Sequence, residues 1–105
     1  MSTFDTQSLQ SSQVATDEIE LDINGRIVDY LDPSIARRDA PEERIRQSYA
    51  RVLHEEYQYP KEWMLFEAPI NIGSETRYAD IAVFNSLEAK VARDQGRILL
   101  VVLSN

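Results

Sequence analysis

Two short apolar runs constrain this chain more than any other feature. Ile81-Ala82-Val83-Phe84 follows Arg77-Tyr78-Ala79-Asp80, which sets an acid at its head, and Ile98-Leu99-Leu100-Val101-Val102-Leu103 precedes Ser104-Asn105. Runs this short, bounded by polar residues, predict strands rather than helices. Successive strand side chains point to opposite faces, so an unbroken apolar run needs cover on both. That is the situation of a central strand in a covered sheet. The chain has 105 residues, room for one small domain, and little sequence after residue 103 to cover the last strand. It reads as an incomplete domain over 17–105, the N-terminal piece of something larger.

Composition removes several classes. Hydrophobic residues make up 43% and charged residues 28%, the balance of an ordinary globular domain. No stretch approaches the roughly 18–20 apolar residues that span a bilayer, and the N-terminus lacks a basic-then-apolar leader pattern. The expectation is a cytoplasmic protein without membrane contact. Cysteine is absent, which excludes disulfides and thiolate metal sites. The net charge of −7 argues against a stand-alone nucleic-acid binder, because neutralising phosphates takes a basic surface. Residues 1–41 carry 8 acids against 3 bases and residues 42–105 carry 10 against 8, so the excess sits at the front.

Residues 1–16, rich in Ser, Thr and Gln, read as a disordered lead-in. Residues 18–23 alternate polar and apolar. Asn24-Gly25 then suits a type I′ turn, and residues 26–31 return as the second strand of a hairpin. Asp32-Pro33 ends it. Asp39 is placed to cap a helix, with Pro41 in the first turn and Glu42 at the capping-box position. Ile45, Tyr49, Val52, Leu53 and Glu56 then mark one amphipathic helix over about 42–57. Tyr59-Pro60 breaks it. Met64, Phe66, Ala68, Ile70 and Ile72 share one face of a following strand, where Pro69 points to an edge or bulge. Tyr57, Tyr59 and Trp63 are expected to pack the corner between helix and strand. Residues 85–97 read as a polar loop with one helical turn. The predicted class is α+β: a mixed sheet with a preceding β-hairpin and one main amphipathic helix, its C-terminal part missing.

With these elements placed, four ordered segments resemble a known family. Pro41-Glu-Glu-Arg-Ile-Arg-Gln47, Tyr57-Gln-Tyr-Pro60, Glu67-Ala-Pro-Ile70 and Arg77-Tyr-Ala-Asp-Ile-Ala-Val83 resemble the N-terminal nuclease domain of type I restriction enzyme R subunits, of the PD-(D/E)xK superfamily. The resemblance runs over about residues 19–102 and implies a restriction-endonuclease-like fold. It implies a helical acid at Glu43 or Glu42, a metal-ligating Asp80, and a Glu-x-Lys at the end of the next strand. That last position falls on Leu103-Ser104-Asn105, which carries neither group. The family also implies Mg²⁺ for the nuclease, ATP for the motor of the full-length protein, DNA as substrate, and modification and specificity subunits as partners.

The chemistry explains those residue types. Phosphodiester hydrolysis needs an activated water and neutralised phosphate charge, which a Mg²⁺ held by carboxylates supplies. A lysine orients the water or stabilises developing charge. With Asp80 alone, the expectation is no cleavage and weak Mg²⁺ binding. Plainer readings compete. Glu42 and Glu43 complement a helix macrodipole whatever else they do. Glu67 faces away from the apolar stripe and reads as solvated. Glu88-Ala-Lys90 is a literal Glu-x-Lys, but in a polar connector. His54 has no second ligand nearby in sequence. Arg44, Arg46 and Arg51 either meet a phosphate or pair with acids such as Glu55. Finally, an uncovered last strand is expected to pair with a copy of itself.

Overall fold

The computed structural model describes residues 4–8 and 18–103. They fall into two compact units, one within Met1–Ser8 and Tyr59–Asn105, the other within Leu9–Gln58. The class is the expected one: among the described residues, six strands form two sheets beside one main helix. No helix among them is long and apolar enough to cross a membrane.

The first unit is a four-stranded mixed sheet. Its strands are β1 (Asp5–Ser8), β4 (Met64–Ile72), β5 (Glu75–Phe84) and β6 (Ile98–Leu103), in the order β1-β6-β5-β4. Helix α2 (Leu87–Ala92) joins β5 to β6. The two apolar runs are indeed the central strands. Ile81, Ala82, Val83 and Phe84 are all buried, as are Leu100, Val101 and Val102, so both strands are covered on both faces. β4 is an edge strand, the position in which a sheet tolerates a proline such as Pro69.

Three expectations change in this unit. The lead-in is not wholly unstructured, because Asp5–Ser8 forms β1, parallel to β6 in the register Asp5↔Leu100 to Ser8↔Leu103. Phe4 precedes it, and the other residues of that lead-in lie outside the described ones. β6 is consequently no bare edge: β5 lines one side and β1 the other, which removes the basis for self-pairing through this strand. Polar composition concealed β1, since a short outer strand can be held by backbone bonds alone. Nor does β4 present one continuous face. Glu67 takes a left-handed φ of 52°, and the apolar cluster joins Leu65 and Ala82 to Ala68, Ile70 and Ala79, positions of both parities. The left-handed residue shifts the phase of the pleat.

In the second unit, β2 (Ile27–Val28) pairs antiparallel with β3 (Ala36–Arg37), and α1 (Pro41–Glu55) follows. The hairpin expected around Asn24-Gly25 is present but short: Leu21 bridges Ile27, the Asp22 amide donates to the Arg26 carbonyl at 2.8 Å and the Val28 amide to the Glu20 carbonyl at 2.9 Å. The turn differs from the one expected. Asp22 is the reason. Its Oδ1 accepts from the amides of Asn24 and Arg26, both at 2.9 Å, closing a three-residue loop in which Gly25 alone has positive φ, at 75°. A type I′ turn would need positive φ at both central residues. The Ile27 strand instead finds its regular partner ahead of it, at Ala36–Arg37.

The helix runs slightly earlier than the 42–57 expected, and Asp39 does not cap it. Ala40 is the cap residue and makes no side-chain cap bond. Both Asp39 oxygens are held instead by Arg44 Nε and Nη2, at 2.7 and 2.8 Å. That guanidinium holds the Asp39 carboxyl below its ordinary range. The buried face is also broader than the apolar stripe: Gln47, Ser48, Tyr49 and Ala50 are all buried, so this turn is enclosed all round. Tyr57 is 65% exposed rather than packed into a corner.

Candidate functional site

Asp80 lies on β5 at the border between its buried and exposed halves, itself half-buried. The β5–β6 register pairs Ile81 with Val102 and Ala82 with Val101; continued by one residue, it sets Leu103 opposite Asp80. On the other side Phe66↔Ile81 and Ala68↔Ala79 are paired, and the pairing is interrupted between them at Glu67, the left-handed residue of β4. Directly opposed residues in an antiparallel pair have Cβ atoms about 4.5–5.5 Å apart. The register therefore gives the Glu-x-Lys position a physical meaning: Leu103 stands where a strand carboxylate would meet Asp80. Ser104 and Asn105 lie outside the described residues.

Those residues do not make a good Mg²⁺ site. An isobutyl group offers no lone pair on the β6 side of Asp80. Among the described residues, no three His, Cys, Asp or Glu side chains gather closely enough to hold a metal. Glu88 and Lys90 do not repair this, because both lie on α2. Residues two apart on a helix do not face the same way.

Beside Asp80 the sheet unit carries a cavity of about 380 Å³. Phe4, Ile70, Tyr78 and Leu103 give it apolar walls, and Arg77 and Asp80 give it charge. A second cavity, of about 700 Å³, shares Phe4, Ile70 and Ile72 with the first. Its far wall is fixed by Gln95, whose Oε1 accepts from the Asn71 amide at 2.8 Å while Nε2 donates to the Asn71 carbonyl at 2.9 Å.

Glu42 and Glu43 belong to the other unit and separate clearly there. Glu42 is exposed. Glu43 is 14% exposed and is held from two directions: Gln47 Nε2 donates to its Oε2 at 2.8 Å, and Arg46 Nη1 lies 3.4 Å from Oε1. Gln47 is fixed in turn, since its Oε1 accepts from the Tyr30 amide at 2.7 Å. Behind it lies Asp29, 2% exposed, whose Oδ1 accepts from Leu31 and Asp32 amides and whose Oδ2 meets the Arg37 guanidinium. The sequence reading assigned no role to Gln47 or Asp29. Gln47 did stand in the Pro41–Gln47 segment, the one signal that could have singled it out.

The remaining candidates are absorbed by local pairing. Arg51 Nη1 lies 2.6 Å from Glu18 and 3.7 Å from Glu55. Arg44 holds Asp39 and Arg46 holds Glu43, so all three helix arginines meet acids within their own unit. His54 stacks at a tilt on Tyr30, with ring centres 6.2 Å apart. The Tyr30 hydroxyl donates to Glu55 at 3.0 Å; burial, then that bond, pushes the phenol up to about 12.

An acid-headed central strand in a mixed sheet, accompanied by a helix with a fixed acid, defines an α+β domain with one candidate site on its sheet. Residues 41–102 match the family model described as the type I restriction enzyme R protein N terminus (HSDR_N). That is more than half of the chain, and the chain belongs to this family. The match contains Glu42, Glu43 and Asp80 and ends one residue before Leu103; the hairpin that precedes α1 lies outside it. Searches of curated proteins and of solved structures gave no match.

Proposed function

We propose that this chain is the DNA-engaging N-terminal piece of a type I restriction R protein, built on a PD-(D/E)xK nuclease scaffold, that binds without cutting. Family membership supports the restriction-modification context. The observation that carries the non-cleaving half is Leu103 opposite Asp80. A nuclease of this design would use Asp80 to hold Mg²⁺, with a β6 carboxylate and ammonium beside it, and β6 supplies an aliphatic group instead. In the full-length family protein, ATP would drive a motor and the modification and specificity subunits would supply site recognition. The net charge of −7 fits that division of labour, because other parts must then provide most of the phosphate contacts.

The test is restoration. The wild-type chain, incubated with supercoiled plasmid and Mg²⁺, is expected to leave it intact. Leu103→Glu combined with Asn105→Lys should introduce Mg²⁺-dependent nicking, and adding Asp80→Ala should abolish it. Cleavage by the wild-type chain that Asp80→Ala removes would make it a working nuclease and sink the non-cleaving reading.

A further inference from the structure

We propose that the cavity beside Asp80 holds an unstacked, amino-bearing base (adenine, cytosine or guanine) of single-stranded DNA, with Asp80 reading the exocyclic amino group. The proposal rests on the DNA-engaging reading above and deepens it by naming the form of DNA and the atom recognised.

The shape argument comes first. A volume of about 380 Å³ sits at the small end of ligand pockets, where a planar base fits and a large ligand does not. The walls are right for stacking. Phe4 and Tyr78 supply two rings, Ile70 and Leu103 supply aliphatic faces, and Tyr78 is 70% exposed, open to a ligand from solvent. Every base has a π face, so such walls accept any base once it leaves the duplex stack.

Charge then narrows the choice. The carboxylate in the lining is Asp80, and an ionised carboxylate is an acceptor only, with about four lone-pair positions. It can accept from a base amino group in addition to its contacts within the protein. Adenine N6, cytosine N4 and guanine N2 offer such donors, whereas thymine carries no amino group and presents O4. Arg77 stands at the rim, 72% exposed and 3.6 Å from Glu75 in a solvent-screened pair, so it can turn to a backbone phosphate. The adjoining cavity, which shares Phe4, Ile70 and Ile72, continues the groove. That continuity favours a strand over a free nucleotide.

Leu103 takes on a positive role in this arrangement. The aliphatic group that denies Asp80 a metal partner is also a wall on which a base can lie.

The whole 105-residue chain is titrated with fluorescein-labelled dC12, dA12, dT12 and a 12-base-pair duplex at low salt, read by anisotropy. Expected is tighter binding of dC12 and dA12 than of dT12 or duplex. Tyr78→Ala, at an exposed position, should weaken dC12 binding about tenfold. Asp80→Asn, which adds an amide donor, should shift preference toward dT12. Equal affinity for the three single strands, or no change in either variant, would overturn the base pocket. Duplex binding that exceeds single-strand binding would also overturn it while leaving the DNA-engaging reading intact. Absence of binding to any oligonucleotide would remove both.

Discussion

Of the seventeen buried apolar residues, thirteen lie in the sheet unit, whereas Asp29, Gln47 and Ser48, the buried polar residues among those described, all lie in the helix–hairpin unit. The sheet is held by area and volume. Its central strands exclude water from both faces, and any side chain of similar size would serve nearly as well. The helix–hairpin unit is held by directed bonds: one carboxylate takes two amides and a guanidinium, and one amide side chain links the Tyr30 backbone, just past β2, to a helix acid. Dispersion forgives small errors of shape. A buried hydrogen-bond network does not forgive a missing atom.

Truncation of the sheet core should have the largest effect. Phe84→Ala is expected to cost about 4 kcal/mol in urea denaturation, whereas Phe84→Leu should cost far less. Asp29→Ala comes next, at about 3 kcal/mol, because it strands the Leu31 and Asp32 amides and leaves Arg37 without its acid. The isosteric Asp29→Asn sharpens the contrast, since it should retain much of that cost although volume is unchanged. Hydrogen exchange gives the decisive view. Asp29→Ala should open residues 27–55 while β5 and β6 stay protected, and uniform loss of protection would break the comparison.

A smaller effect of opposite sign is expected on the sheet edge. Glu67 adopts a left-handed backbone at φ 52°, so Glu67→Gly should stabilise by roughly 0.5–1 kcal/mol in thermal melts. The smallest effect concerns Tyr30, whose phenol pKa is pushed up to about 12 by burial and by its bond to Glu55. A group raised in the folded state stabilises below its unfolded value of 10.0, and that stability is lost as pH climbs through about 12. Absorbance titration at alkaline pH should show the late phenol, and Glu55→Gln should bring it down.

How much could be read in advance follows the same divide. β5 and β6 were legible because burial on both faces leaves an unbroken apolar run, and α1 because its Tyr49 and Leu53 recur at helical spacing. The Asp29–Gln47 link was invisible, since polar partners eighteen residues apart have no period. Asn24-Gly25 misled as to turn type, because Asp22 supplied a competing set of bonds for the same turn. β1 was missed for lack of any apolar signal in Asp5–Ser8. At the candidate site, Asp80 and the place of Leu103 were readable from order along the chain. The break in pairing at Glu67, and the cavity with Phe4 in its wall, needed the strand register and the distant N-terminal strand.

The pairing of β1 with β6 also imposes an order on synthesis. Eighty-nine residues separate Ser8 from Ile98, so β1 leaves the ribosome long before its neighbour exists. Closing a span of that length costs about 4 kcal/mol of chain entropy. Hairpin β4–β5 can form while that strand still waits, and β6 must be made before β1 has anywhere to dock. Phe4, which lines the cavity beside Asp80, comes with it. The cavity beside Asp80 is therefore complete only after β6 has been made, although its Phe4 wall was translated long before.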